Sequence, residues 1–331
     1  MRKNISKKII LLESGTGNRF ANQLWNFASI YAFCLEKKYK CFNHSFFEEK
    51  KLSNNTISLR SYHQYFKNNF QNWLIKIIII IHLKKYINKI FKPYSLYVKI
   101  IKKIFTKRIV EINYKKNHEK PIYLPPEKIL DYDQKKIIKK IESSFYKKFY
   151  FCGWLFRNPI GLKKFHKEIV KYLQPNKEIT IKIENFISPL RKKYENIIGV
   201  HIRQSDYRTY VSGKFYFSPQ EVKNILDDYL DGQTEKNKKN TLFILCSDEK
   251  FDIKLFSGLN TVLGPGNEME DLLTLSQTDL IIGSNSTFGA FAAYYGNIPI
   301  IVFKHKKIDW TKIDFSKKEF NYNNDCTTVH L

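Results

Sequence analysis

From about residue 196 to residue 303, short apolar runs alternate with helix-length segments, and that alternation leaves few folds open. Ile197–Arg203, Thr241–Cys246, Asp279–Gly283 and Ile298–Phe303 are dominated by Ile, Leu, Val and Phe over the length of a strand. Continuous runs of this kind suit strands buried on both faces, as in parallel sheets. Between them Ser218-Pro219-Gln220-Glu221 is a capping box with proline at the first helical position, which predicts a helix starting there. Glu268–Gln277 and Phe288–Tyr295 read as further helices, the latter opened by the loop Ser284–Thr287 and closed by Gly296. Parallel neighbours need crossover connections, so the pattern predicts a doubly wound α/β sheet.

The amino-terminal half starts the same way. Residues 8–12 (KIILL) read as a strand, Glu13–Ala21 as a polar, glycine-bearing loop, and Asn22–Lys37 as a helix. Leu24, Phe27, Ala28, Tyr31, Cys34 and Leu35 recur at helical spacing and mark the expected buried face. Tyr39–Phe42 and Phe149–Leu155 are further strands, and the neighbourhoods of Pro175 and Pro189 bracket a segment leading into the second half. A chain of 331 residues suits two domains. The expected division is residues 1–190, with a basic and apolar insertion around 60–110, then residues 191–305, then a tail over 306–331.

Charge narrows the partners. Lys and Arg exceed Asp and Glu by 57 to 31, a formal net charge of +26. Such an excess suits a polyanionic partner: nucleic acid, an anionic membrane or a phosphorylated substrate. Part of it reflects a chain rich in Lys, Ile and Asn throughout. Lys50–Val110 holds 14 Lys and Arg and no acidic residue, and within it Trp73–Leu83 (WLIKIIIIIHL) is the most apolar stretch. That stretch is about half the length needed to cross a bilayer. It reads either as a buried core helix or as part of an interfacial segment, 73–108, resting on anionic lipid. No helix-turn-helix, zinc-finger or aromatic RNA-binding pattern accompanies the charge, so nucleic acid is not an expected partner. The apolar run Ile9–Leu12 ends at Glu13, too soon for a signal peptide. The five cysteines, Cys34, Cys41, Cys152, Cys246 and Cys326, form no C-x-x-C pair, which fits a reducing cytoplasm. The expected location is cytoplasmic, at the inner face of the membrane if the basic segment binds lipid.

Three polar clusters stand just after successive predicted strands: His201/Arg203/Asp206, Ser247/Asp248, and Ser284-Asn285-Ser286-Thr287. Open α/β sheets bind ligands at the carboxyl ends of their strands, where the strand order reverses. Arg203 offers a forked cation to a diphosphate. Ser286 and Thr287, at a helix N-terminus, offer hydroxyls and backbone N–H groups to the same anion. Asp248 suits a guanine edge, since a carboxylate accepts two N–H bonds. The plain alternatives are an N-cap for Ser286/Thr287, a loop turn for Asp248 and a surface ion pair for Arg203. Gly15-Thr16-Gly17 is not a dinucleotide fingerprint, because Phe20 stands where the third glycine belongs, and no P-loop occurs. The eight histidines are dispersed, so no metal site is expected.

Val200-His201-Ile202-Arg203-Gln204-Ser205-Asp206-Tyr207 resembles the H-x-R-R-x-D motif of the fucosyltransferases that make α1,2, α1,6 and protein O-linked fucose. Arg19–Ala28 (RFANQLWNFA) is similar to their G-N-Q-L-F-Q-Y-A loop and helix, and Leu245-Cys246-Ser247-Asp248 to their strand-end S-D motif. Asp271–Ser276 and Ser284–Phe288 are similar to their D-L-x-L-M-S and S-N-S-S-F segments. Among these enzymes the chain most resembles glycosyltransferase family 11, with residues of about 40–150 unmatched. Gln204 replaces the second arginine, Ala21 the loop glycine, and Phe288-Gly289-Ala290-Phe291 lacks a tryptophan pair.

The resemblance implies a GT-B fold, in which two Rossmann-like domains face a cleft. It implies a metal-independent, inverting fucosyltransferase with GDP-fucose as donor and no cofactor, acting on a hydroxyl of a surface glycan, most simply in α-1,2 linkage. Arg203 would bind the diphosphate, with His201 and Asp206 shaping its loop. Asp248 would read guanine, and Ser284, Asn285, Ser286 and Thr287 would line the phosphate. Asn22, with Gln23 beside it, would sit near the fucose. Asp206 and Glu13 are the candidate general bases. A GT-B transferase using another nucleotide sugar, and a basic membrane- or nucleic-acid-binding protein without catalysis, are the competing readings.

Overall fold

A computed structural model describes residues 9–13, 19–43, 47–51, 57–62, 66–67, 109–113, 122–123, 141–143, 148–152, 156–303, 308–321 and 328–330. The expected membrane-facing segment 73–108 and the loop 14–18 lie outside the described residues.

The described residues group into two units, Met1–Asn176 and Lys177–Leu331. In the first, β1 (Ile9–Glu13), α1 (Phe20–Glu36) and β2 (Lys40–Asn43) make the expected βαβ start. After the hairpin β3 (Phe47–Lys51) and β4 (Ile57–Ser61) come β5 (Ile109–Asn113), β6 (Ile122–Tyr123), β7 (Lys148–Cys152) and β8 (Phe156–Arg157). The short helices α2 (Pro159–Lys164) and α3 (His166–Tyr172) close the unit. Four strands form one parallel sheet in the order β2-β1-β7-β5.

Helix α1 is buried nearly all round rather than along one stripe: Gln23, Trp25, Asn26 and Ser29 are as inaccessible as Leu24, Phe27 and Ala28. A helix so enclosed lies inside its unit instead of resting on its surface. Aromatic rings do much of the enclosing. Phe20 stacks on Tyr62 with centroids 4.2 Å apart, and Phe27 meets Tyr172 at 4.8 Å.

The second unit follows the alternation read from the sequence. It comprises α4 (Lys177–Lys193), β9 (Asn196–Ile202), α5 (Pro219–Asp231), α6 (Glu235–Asn240), β10 (Thr241–Ser247) and β11 (Thr261–Leu263). Then come α7 (Glu268–Leu275), β12 (Leu280–Gly283), α8 (Thr287–Gly296), β13 (Ile300–Val302), β14 (Glu319–Asn321) and β15 (Thr328–His330). Five strands form a wholly parallel sheet, β11-β10-β9-β12-β13, in which Val200 is flanked by Leu245 and Ile282. The chain builds outward from β9 to one side and then crosses to the other, so the order reverses between β9 and β12.

The two faces of β9 are occupied differently, as strand period requires. Ile198, Val200 and Ile202 join Val222, Ile225 and Leu226 of α5 in the main core. Gly199 lies on the other face, where a Cβ would come within 2.7 Å of Leu275 and 2.9 Å of Thr278; only glycine lets the end of α7 sit so close. The capping box forms as expected: Ser218 Oγ accepts the Glu221 N–H at 3.3 Å and Glu221 accepts the Ser218 N–H at 2.9 Å.

Some details differ from the expected ones. The division between units falls at 176/177 rather than 190, because α4 runs unbroken through Pro189 and packs on α7 and β9 of the second unit. Its last turn is fastened there, with Arg191 donating to the Gln277 carbonyl at 2.7 Å and pairing with Asp279. Within the expected tail over 306–331, Ile308, Trp310 and Ile313 pack against the main core. Gly296 does not turn the chain out of α8. Asn297 does, at φ 53°, while a Cβ at Gly296 would fall 2.0 Å from the Ser276 carbonyl oxygen. Strand β11 was not expected, being only three residues long.

Candidate functional site

The site grows out of the reversal point. Strand β9 ends at Ile202, and the next residue, Arg203, donates its backbone N–H to Ser284 Oγ at 2.9 Å. Ser284 follows β12 and returns the bond, donating its N–H to the His201 carbonyl at 2.9 Å. These two bonds clamp the adjacent strand ends where a switch-point ligand is received. Ser284 is buried and makes both bonds inside the fold.

The Arg203 guanidinium is held by two carboxylates. Nε donates to Asp206 Oδ1 at 3.1 Å, Nη2 lies 2.9 Å from the same oxygen, and Nη1 lies 2.9 Å from Asp248 Oδ2. The face of the group rests 5.7 Å from the Tyr207 ring centroid. The Arg203 side chain is 11% exposed, against 47% for Asp206 and 21% for Asp248. The cation is therefore pre-aimed and mostly desolvated, yet reachable. A guanidinium carries five N–H donors in a rigid fork, so two carboxylates leave donors for a further anion.

Asp248 does more than the sequence suggested. Its Oδ1 accepts the Gln204 N–H at 2.8 Å, and its Oδ2 accepts the Ser205 hydroxyl as well as facing Arg203. It organises the loop after β9. Gln204, at the position of the missing arginine, is buried and donates to the Phe217 carbonyl at 2.6 Å, which closes the same loop from below.

Ser286 is the N-cap of α8, accepting the Phe288 N–H at 3.3 Å, and Thr287 is the first helical residue. The Asn285 carbonyl accepts the Tyr207 hydroxyl at 2.7 Å, joining this loop to the one that carries Arg203. Residues from all three predicted clusters are thus gathered at one edge of one sheet.

His201 lies on the far side of β9 from the main core, stacked on Phe288 with centroids 5.0 Å apart. Burial lowers its pKa to about 4, against a weak opposing pull from Asp248, so the ring is neutral at ordinary pH. Its Nδ1 is buried without a hydrogen-bond partner among the described residues.

Sequence reasoning passed over Asp271 as a site residue. It lies in α7, buried, accepting the Gly266 N–H at 2.8 Å beside the Cys246 thiol. Burial raises its pKa to about 6. Gly264 makes room for the cluster, since a Cβ there would stand 2.5 Å from Cys246 Sγ and 2.9 Å from Asp271 Oδ1. The available signal was an acidic residue one turn before Leu275 on the buried side of a helix.

Asn22 and Gln23 belong to the first unit, in the first turn of α1. Gln23 is fully buried in that helix's packing. Asn22 is half-buried, with an inaccessible Oδ1 that has no partner among the described residues. Glu13 closes β1. Among the described residues no group of His, Cys, Asp and Glu could hold a metal ion, and no helix is long and apolar enough to cross a membrane.

No family model matches the sequence, and no curated protein matches it. Solved structures do. A structure of POFUT1 with GDP has 14% identity and a TM-score of 0.57, covering 90% of this chain and 98% of that one. A second, of POFUT1 with GDP-fucose, gives the same identity, coverage and TM-score. The NodZ α-1,6-fucosyltransferase soaked with GDP-fucose has 14% identity over 98% of this chain and 99% of its own, at a TM-score of 0.48. With a five-stranded parallel sheet in its second unit and an α/β first unit, this chain shares the GT-B fold of the two POFUT1 structures.

Proposed function

We propose that this protein is an inverting fucosyltransferase that moves L-fucose from GDP-fucose to a sugar hydroxyl of a glycan. The observation that carries the reading is the Arg203 fork at the strand-order reversal, backed by the N-terminus of α8. A diphosphate binds there by taking up the remaining guanidinium donors and the α8 backbone N–H groups.

In the proposed reaction the acceptor oxygen attacks the anomeric carbon from the face opposite GDP. The bond from that carbon to the β-phosphate oxygen breaks, and its electrons leave with GDP. Charge builds on the diphosphate in the transition state, where a fixed cation and a helix terminus stabilise it most. Asp206 orients Arg203, and being the more exposed of the two carboxylates, it is also the nearer candidate to take the acceptor proton. Glu13 is the second candidate.

With both Asp248 oxygens engaged by the loop and Arg203, guanine recognition is assigned instead to Asp271. Its carboxylate stands at the same sheet edge, next to Cys246 and the glycine turn of Gly264 and Gly266. Guanine presents two adjacent N–H donors to such a group, and uracil and adenine do not.

No metal is assigned to the reaction, because Arg203 and the helix terminus supply the positive charge a diphosphate needs. An α-1,2 linkage on a surface glycan, and a cytoplasmic location against the membrane through residues 73–108, complete the proposal. Calorimetric titration with GDP, UDP and ADP tests it. Selective GDP binding is expected, and equal affinity for all three, or none for any, would overturn the donor assignment.

A further inference from the structure

The loop that follows Arg203 carries five aromatic residues among thirteen, from Ser205 to Phe217. Phe217 belongs to the core and Tyr207 is buried, but Tyr210 is 42% exposed and its neighbour Val211 54%. The Tyr210 ring is stacked on Tyr207 at 5.7 Å and 22°, and meets Phe215 at 6.1 Å and 31°. The three rings therefore form one stack, which opens to solvent at Tyr210.

This surface is fastened rather than loose. Tyr207 is tied to the Asn285 carbonyl, Gln204 to the Phe217 carbonyl, and Arg208 to both Glu249 oxygens at 2.9 and 2.7 Å. Its tip is strained. Val211 and Ser212 adopt left-handed backbone at φ 48° and 55°, followed by Gly213 at φ 77°. A β-branched residue rarely accepts that conformation, and strain of this kind collects where a chain holds a side chain in place for a ligand.

From these observations we infer that Tyr210, backed by Tyr207 and Phe215, forms a sugar-stacking platform, the subsite for a pyranose ring of the acceptor glycan. The assignment rests on the donor reading above. One face of a pyranose presents C–H bonds of slight positive charge, which pack on the negative faces of aromatic rings. The hydroxyls of Tyr210, Thr209 and Ser212 at exposed positions suit the hydroxyls at the rim of such a ring. Continuity with the diphosphate site favours a substrate over an unrelated partner. Tyr207 touches the Arg203 guanidinium with its ring and Tyr210 with the same ring system, so a sugar on the platform lies beside the reacting phosphate end.

The test uses the full chain with GDP bound and four probes: the methyl β-glycosides of galactose, glucose and N-acetylglucosamine, and methyl α-mannoside. Saturation-transfer NMR on the wild type is expected to show at least one of them bound by one ring face. Tyr210→Ala is expected to weaken that binding roughly fivefold to tenfold, and Tyr210→Trp, which keeps a ring, to retain it. GDP affinity should stay at its wild-type value in both variants, which also reports that they are folded. A wild type that binds none of the glycosides, or a Tyr210→Ala chain that binds them unchanged, would overturn the platform. A wild type that binds no GDP would remove the donor reading instead, whatever the glycosides do.

Discussion

Two buried serines, one in each unit, are held in different ways. Ser284, at the carboxyl edge of the second sheet, accepts the Arg203 N–H and donates to the His201 carbonyl. Ser29, inside α1 of the first unit, is as fully buried, and its Oγ has no partner among the described residues. The contrast extends to their surroundings. Around Ser284 each charged group has a partner: Arg203 with Asp206 and Asp248, Arg208 with Glu249. Ser29 has an uncharged amide beside it, the Asn158 side chain donating to its backbone carbonyl at 3.4 Å. The second unit thus holds its charges in place before any ligand arrives, which is the arrangement electrostatic catalysis requires. The first unit supplies a buried helix in which Asn22 Oδ1 and Ser29 Oγ have no partner among the described residues.

The largest expected effect is at the charge itself. Arg203→Ala should lower transfer by roughly 10²–10³-fold with the circular dichroism spectrum unchanged. Transfer at near wild-type rate would dissolve the distinction between the units.

Asp271→Asn comes next and should separate stability from function. Burial raises the pKa of Asp271 from 3.8 to about 6, so its ionised form costs the fold about 3 kcal/mol at neutral pH. A raised folded-state pKa contributes stability that is full below 3.8 and lost as pH rises through about 6. The amide keeps an oxygen for the Gly266 N–H and removes the charge, so the variant should be the more stable at pH 7.5 and equal to wild type below pH 4, as urea unfolding would show. GDP affinity should fall at the same time, and wild-type affinity should itself fall as pH drops through about 6. A variant that gains stability and keeps its affinity would return Asp271 to a purely structural role. His201 works in the opposite sense. Its folded pKa of about 4 lies below 6.5, so its contribution is full above 6.5 and lost as pH falls toward 4.

The serine pair gives the smallest effects and the sharpest comparison. Ser284→Ala leaves the half-buried Arg203 N–H without its acceptor and should cost about 1–3 kcal/mol. Ser29→Ala removes a hydroxyl that has no partner among the described residues, so it should cost nothing or stabilise slightly. Equal costs, measured by urea unfolding, would mean that the Ser29 hydroxyl is as well satisfied as that of Ser284.

What could be read from the sequence tracks the same division. In the second unit each strand is a run of apolar residues bounded by a polar strand end, and period, capping box and strand-end clusters agree, so the sheet and the gathering of Arg203, Asp206, Asp248 and Ser284 followed. In α1 the helical spacing of Leu24, Phe27 and Tyr31 marked one face, but Gln23, Asn26 and Ser29 are buried too. Nothing in their polarity announces that, because enclosure comes from distant residues such as Tyr172. Asp248 was read as a ligand group since a strand-end carboxylate looks available. Whether its oxygens are already taken depends on how the Gln204–Ser205 backbone turns, and spacing does not encode that. Asp271 was passed over for the converse reason: a charge among leucines on a helix reads as solvated until packing shows it covered.

The central claim is that Arg203 receives the diphosphate of a guanine nucleotide. Calorimetric titration of the wild type and of Arg203→Ala with GDP and with guanosine tests it most directly. The account predicts that the wild type binds GDP far more tightly than guanosine, and that Arg203→Ala binds GDP almost as weakly as guanosine. Equal GDP affinity in the two proteins would contradict it.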